Sequence, residues 1–376
     1  MLTLSFCRKF ADSAAVCNIP RVGRCAVFFC LFGGDYYFTI MIRKFTQYSL
    51  LGHNTFGMNV KAAQFVEFES EQEAASILAD GVDAPILVIG RGSNLLFVDD
   101  FEGTVLHSRI MGFEVVEEDD EALLLRVGSG VNWDDLVAYT VERGWQGLEN
   151  LSVIPGEVGA SAVQNVGAYG VEAGDLIERV EALALDDASK RCFSKQECSY
   201  SYRSSIFKKE LKGKYIITFV TFRLRKKPQF SLSYGNLSDV VARMGGPSVG
   251  NIRCAVKEIR ASKLPDTKEL GSAGSFFMNP VVSARKARAL AELYPQMPQY
   301  PVADGRVKLS AAWLIDRCGW KERRVGRVGV YKHQPLVVVN YGGASGREVY
   351  DFSLEVCRSV EQMFGVELVR EVNIIG

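Results

Sequence analysis

Histidine is scarce. Only three occur in 376 residues, His53, His107 and His333, and their wide separation in the chain argues against a histidine-rich metal site or a histidine-centred relay. The nine cysteines contain no C-x-x-C pair, which removes zinc-ribbon and dithiol chemistry. The five beyond residue 190 lie singly and make no disulfide framework, so inert thiols in a reducing compartment are the reading and no metal site is expected. Net charge is absent too: 44 Lys plus Arg balance 44 Asp plus Glu, leaving no overall field to draw the chain to nucleic acid or to an anionic membrane. The apolar run Cys25 to Phe32 is eight residues long, too short to span a bilayer. Ser275, preceded by Ala273-Gly274 and followed by two phenylalanines, stands in no G-x-S-x-G motif, and serine hydrolase chemistry gains no support.

What is present reads as globular. Hydrophobic residues make up 48% and charged ones 23%, the balance of a folded protein, and the length suits two or three domains. Thirty-five glycines point to tight turns or backbone-lined pockets. Residues 1–40 differ in character. Arg8, Lys9, Arg21 and Arg24 precede the short apolar run, a poor imitation of a signal peptide, and a second Met at 41 opens the regular part of the sequence. An upstream mis-assigned start explains this extension at least as well as targeting does.

From Ala63 the pattern predicts a strand to Phe68, a helix capped by Ser70 and Glu73 running to Ala79, and a short buried strand over Pro85–Ile89, the opening of a βαβ unit. Val115–Val127 reads as a hairpin around the acidic turn 117–121, and Asn132 caps a helix ending at Arg143 and Gly144. Strands are expected at Val180–Leu185, Tyr215–Leu224, Leu336–Asn340 and, by its alternation, Val366–Ile375. Helices are expected at Arg253–Ala261, Ser283–Leu293, Ala311–Cys318 and Ser345–Phe364, with Pro228–Gly246 as a loop.

Two runs invite a ligand. The strand before Gly90 empties into Gly90-Arg91-Gly92-Ser93-Asn94-Leu95. In a Rossmann fingerprint the glycines open a helix, whereas here the third glycine is missing and the next residues read as β. The Ser93-Asn94 turn is either an anion nest or an ordinary hairpin turn. Ile154 to Gly170 is denser still in small residues, with Pro155, Gly156, Gly159, Ala160, Ser161, Gly167, Ala168, Tyr169 and Gly170 around the adjacent amides Gln164 and Asn165. A packed helix against a sheet explains the small residues but leaves the two amides without a purpose, so ligand contact is preferred.

Three further residues carry chemistry. Arg203, between Tyr202 and Ser204, is a partly buried cation suited to a developing oxyanion, or half of a structural salt bridge. Ser275, between Gly274 and Phe276, suits proton donation to a carbanion or enol. Glu371 stands in an otherwise apolar terminal strand, where burial would make it an acid, or else on a solvated edge.

Thr55-Phe-Gly57, Gly90 to Asn94, Ile154-Pro-Gly156, Gln164 to Gly170, Tyr202-Arg-Ser204, Gly274-Ser-Phe-Phe277 and Asn279-Pro280 occur together and in order. In this combination the chain resembles, from about Asn54 to Gly376, the UDP-N-acetylenolpyruvoylglucosamine reductases of peptidoglycan synthesis. The resemblance implies an α+β fold, an FAD-binding region of the vanillyl-alcohol oxidase type in two subdomains, with a C-terminal α+β substrate-binding domain. Its implied boundaries are 41–111 with the terminal strand 366–376, then 112–264, then 265–365. It implies that NADPH reduces FAD, that hydride from flavin N5 passes to C3 of the enolpyruvyl sugar nucleotide, and that a proton goes to C2. By resemblance Ser275 donates that proton, Arg203 stabilises charge on the substrate carboxylate and Glu371 assists. The FAD contacts would come from the glycine loop, Gly90 to Leu95, and from the 155–170 run. Tyr202, Tyr234, Lys263, Asn279 and Gln334 match substrate-binding positions, with Tyr234 in the Tyr-Gly-x-Leu loop of one of the family's two types. Arg91 replaces a frequent glycine and either touches FAD or faces solvent. A cytoplasmic monomer, without nucleic acid or membrane partners, is implied. The rival readings are another FAD-dependent oxidoreductase of this fold, or a non-catalytic FAD-binding protein.

Overall fold

The computed structural model describes residues 43–302 and 304–376, so the readings on residues 1–40 lie outside it. Strand Arg43–Ser49 runs antiparallel to Lys61–Phe68, which pairs in parallel with Phe101–Ser108, and that strand in turn with Ile86–Ile89. The crossover is the helix Glu71–Ala79. Its capping box is half made: the Ser70 hydroxyl accepts from the Glu73 amide, but the Glu73 carboxylate accepts from Glu69 rather than from Ser70. Ala74 and Ile77 bury against Val66, Phe68 and Leu106.

The second region is a five-stranded antiparallel sheet in the order 190–194, 177–184, 215–225, 122–128, 113–118. The hairpin between its last two strands turns on Asp119, whose carboxylate accepts from the amides of Glu121 and Ala122. Helices Trp133–Glu142 and Val158–Gln164 cover one face, burying Trp133, Leu136, Val137, Val158 and Ala162 against Leu125, Val127, Val220 and Phe222.

Helix Val249–Lys263 starts earlier than the apolar pattern predicts, because Ser248 caps it by accepting from the Asn251 amide. The expected loop 228–246 contains a helix, Leu237–Arg243. Leu237, Val240 and Val241 lie one turn apart and pack on Ile252, Ala255, Val256 and Ile259, and this tertiary partner makes a helix of a polar stretch too short to stand alone.

Beyond Pro265 the strands Gly271–Ser275, Val337–Asn340, Val328–Val330 and Arg324–Val325 form an antiparallel sheet. Helix Gly346–Phe364, with a full Ser345/Glu348 capping box, buries Val349, Phe352, Val356 and Val360. The core of this region is continuous with that of the first, through Phe56, Phe65, Leu96, Phe97, Phe276 and Phe277. The terminal segment explains the continuity. A single strand over 366–375 was expected; instead Arg370 bridges to Phe277, the chain bends at 371–372, and only Asn373–Ile375 forms a strand, parallel to Leu95–Phe97. The segment changes partner there, and Glu371 sits on the bend. Among the described residues no helix is long and apolar enough to cross a membrane.

Candidate active site

The two ligand-inviting runs meet. They line a cavity of about 330 Å³ closed on its other side by residues from the third region. The Ser93 hydroxyl donates to the Pro155 carbonyl at 2.8 Å, and the Asn94 amide donates to the Glu371 carbonyl at 3.2 Å. Gly92 is left-handed (φ 64°), and a Cβ there would lie 1.9 Å from the His53 carbonyl oxygen, so only glycine lets this turn close. Ser93, Asn94, Pro155, Gly156, Ala160 and Ser161 line the cavity, as do Gln164, Gly167, Ala168 and Tyr169.

Gly90, Arg91, Gly92 and Leu95 do not line it. Gly90 backs onto the Glu157 carboxylate, Arg91 is exposed, and Leu95 packs on the core. Gly159 lies close against Ser129, and Gly170 turns the chain at φ 80°.

The adjacent amides have separate fates. Asn165, in the left-handed conformation that ends helix Val158–Gln164, donates to Glu172 and to the Ser201 carbonyl and accepts from the Gly174 amide. Its side chain is consumed by the protein. Gln164 lines the cavity with a buried Nε2 that has no partner. A buried donor without an acceptor is costly, so this atom fits a bound polar group.

Arg203, Ser275 and Glu371 all line the same cavity. Arg203 Nε pairs with Glu371 at 2.9 Å, both side chains being largely buried, and its guanidinium also donates to the Gly167 carbonyl. The pair corrects the picture of Glu371 as a solitary acid in an apolar strand. Arg203 has φ 53°, a strained conformation for a side-chain-bearing residue, and Lys208 holds it by donating to its carbonyl at 3.1 Å. Tyr234 is 58% exposed at the cavity mouth, its ring edge-to-face with Tyr169 at 5.9 Å. Lys263 and Gln334 also line the cavity, but Tyr202 and Asn279 do not. The Asn279 oxygen is occupied by the Ala311 amide at 3.0 Å.

Residues the sequence did not single out complete the walls: Trp133, Glu157, Val166, Arg260 and Leu264. Arg260 was findable, one helical turn before Lys263 on the same helix. Burial lowers its pKa, with Tyr169 and Asp134 opposing that shift, and among the described residues it makes no ion pair. Glu157 was not findable, since it depends on His107. That imidazole lies between Glu67 at 3.0 Å and Glu157 at 3.2 Å, with the His53 ring edge-on at 5.3 Å. Two of three widely separated histidines are therefore neighbours. The cavity's carboxylates are thus both paired, Glu157 with His107 and Glu371 with Arg203, while among the described residues Arg260 and Lys263 are in no ion pair. Such a site favours an anionic, phosphate-bearing ligand.

A glycine turn between strands, backed by small-residue backbone and an orphaned amide, makes a site for a bound polar group, and residues 62–189 match the FAD binding domain, which makes this an FAD-binding protein. Residues 265–375 match the UDP-N-acetylenolpyruvoylglucosamine reductase C-terminal domain. The enzyme of that name from Bacteroides fragilis is 50% identical over 330 residues, covering 88% of this chain and 99% of the relative. That from Porphyromonas gingivalis is 47% identical over 331 residues, 87% and 98% of the two chains. The chain belongs to the UDP-N-acetylenolpyruvoylglucosamine reductase family. The crystal structure of the Thermus caldophilus reductase shares the fold, with a TM-score of 0.62 at 23% identity over 89% of this chain and 99% of that one. The fold is the expected α+β one, an FAD-binding region followed by a C-terminal α+β domain.

Proposed function

We propose that the chain reduces UDP-N-acetylglucosamine enolpyruvate to UDP-N-acetylmuramate with NADPH and FAD, in peptidoglycan synthesis. The observation that carries this reading is one cavity holding both the orphaned Gln164 amide on the cofactor side and the Arg203–Glu371 pair, Ser275 and the unpaired cations opposite. Bound FAD supplies the redox chemistry, hydride acceptance from NADPH and hydride delivery to the enolpyruvyl carbon. Ser93, Asn94, Gln164 and the backbone of 155–170 hold the cofactor.

Arg203, fixed by Glu371, Gly167 and Lys208, presents its guanidinium where negative charge builds on the substrate carboxylate. A donor already held in place needs no reorganisation as that charge appears. Ser275 gives its hydroxyl proton to C2, and Glu371 keeps Arg203 oriented while this happens. Arg260 and Lys263 take the diphosphate, Gln334 contacts the substrate, and Tyr234 covers it. The enzyme works as a monomer in the cytoplasm.

The test is anaerobic absorbance of the purified protein. NADPH should bleach the flavin band, and UDP-N-acetylglucosamine enolpyruvate should restore it. A colourless protein that stays colourless with added FAD defeats the flavoprotein reading, and bleaching without recovery defeats the substrate.

A further inference from the structure

Val153 is strained. Its φ is 52°, a left-handed conformation that a β-branched residue adopts at a real energetic cost. It directly precedes Ile154-Pro155-Gly156, the segment of the cavity wall that accepts from Ser93. What holds it is the Asp134 carboxylate, which accepts from the Val153 amide at 2.6 Å. The far end of the segment is fixed from the neighbouring residue, the Trp133 amide donating to the Gly156 carbonyl at 3.1 Å. The start of one helix thus grips both ends of the loop.

Asp134 also reaches the other side of the site. Arg253 donates to both of its oxygens, at 2.6 and 2.9 Å, and the two side chains are 14% and 29% exposed. Arg253 lies on helix Val249–Lys263, two turns before Arg260 and on the same face, and Lys263 ends that helix.

We propose that Asp134 is a positioning residue. It holds Val153 in the left-handed conformation that sets Ile154-Pro155-Gly156 against the cofactor, and through Arg253 it ties that loop to the helix presenting Arg260 and Lys263 to the substrate. The proposal rests on the reading that this cavity holds FAD. The low carboxyl pKa agrees with it: burial alone would raise it, and the bonds from Arg253 and Val153 bring it below its ordinary value.

A set of four holoenzymes tests this: wild type, D134A, V153G and the double variant. FAD release on dilution is followed by the rise in flavin fluorescence, and KM for the UDP-sugar is measured separately. D134A should release FAD roughly tenfold faster, the size of one residue's left-handed penalty. Glycine adopts that conformation freely, so the double variant should return to within about threefold of wild type. The KM should rise in D134A and stay raised in the double variant, because glycine at 153 does not restore the Arg253 link. Unchanged release in D134A, or rescue of thermal stability by V153G without rescue of FAD retention, overturns the proposal. If D134A does not fold, D134N carries the KM arm and V153G alone the release arm. D134N should raise KM, and V153G should leave release unchanged; normal KM in the first or fast release in the second overturns the proposal. A wild-type protein that holds no FAD defeats the underlying reading instead, and is seen before any variant is compared.

Discussion

Replacing His107 with Gln leaves Glu157 buried without a charge partner. The side chains of His107 and Glu157 are 6% and 9% exposed, and among the described residues Glu157 has no other side-chain partner. Glu67, on the opposite nitrogen, keeps Arg109 at 3.6 Å and Arg43 at 3.8 Å, so the loss falls on Glu157. Removing one member of a buried pair costs about 3–5 kcal/mol, and Gln, which retains one donor, should fall near 3 kcal/mol. The pair H107Q/E157Q exchanges both charges for neutral amides and should be more stable than H107Q alone. Urea midpoints of the purified holoenzymes measure this.

The pH dependence has a definite sign. Burial pulls the His107 pKa down, but the hydrogen bonds and charges of Glu157 and Glu67 outweigh it and the net shift is upward. The unfolded histidine loses its proton first, so this stabilisation is complete below about 6.5 and is lost as pH rises through the native value. His53 runs the other way. Burial, with the neighbouring His107 charge, lowers its pKa to about 4, so stability falls as pH drops from about 6.5 towards 4. Stability from the two together should be greatest near pH 6.5, falling below it as His53 is forced to protonate and above it as His107 loses its proton. An H107Q protein as stable as wild type at neutral pH, or a double variant no better than the single, refutes this account.

Ser275→Ala should leave NADPH reduction of the flavin intact and slow its reoxidation by substrate about 10²–10⁴-fold in stopped flow; equal loss of both half-reactions would make Ser275 structural. Gln164→Met removes the orphaned Nε2 and should weaken FAD binding by roughly tenfold without destabilising the apoprotein in thermal melts, since an unpaired donor adds nothing to that fold. Gly92→Ala puts a methyl on the His53 carbonyl, and FAD co-purification should be lost where Gly52→Ala, with open space at its Cβ and no left-handed backbone, retains it. Lys263→Ala should raise the KM for the UDP-sugar while flavin reduction by NADPH is unchanged.

Local signals were legible wherever one residue decides the outcome. Ser70, Asn132, Ser283 and Ser345 start helices because each side chain bonds an amide of its own first turn. The strand after Asn94 excluded a Rossmann turn for an equally local reason. The helix at Leu237–Arg243 was missed because its apolar face is short and owes its stability to the 249–263 helix.

The sequence by itself determined the small-residue walls, the glycine turn and the residue types of the chemistry. These are properties of a few neighbouring positions, and so was the family resemblance. Tertiary structure alone decided which of two adjacent amides faces the cavity, because Asn165 is claimed by Glu172, Ser201 and Gly174. It decided that Glu371 is a partner to Arg203 rather than a lone acid, since the terminal segment changes sheets at that residue. It also made a charged cluster of His107, Glu67 and Glu157, and among the described residues it left Arg260 and Lys263 in no ion pair. Each of these depends on distance between residues remote in the chain, which sets both the strength of a charge interaction and the cost of an unpaired group.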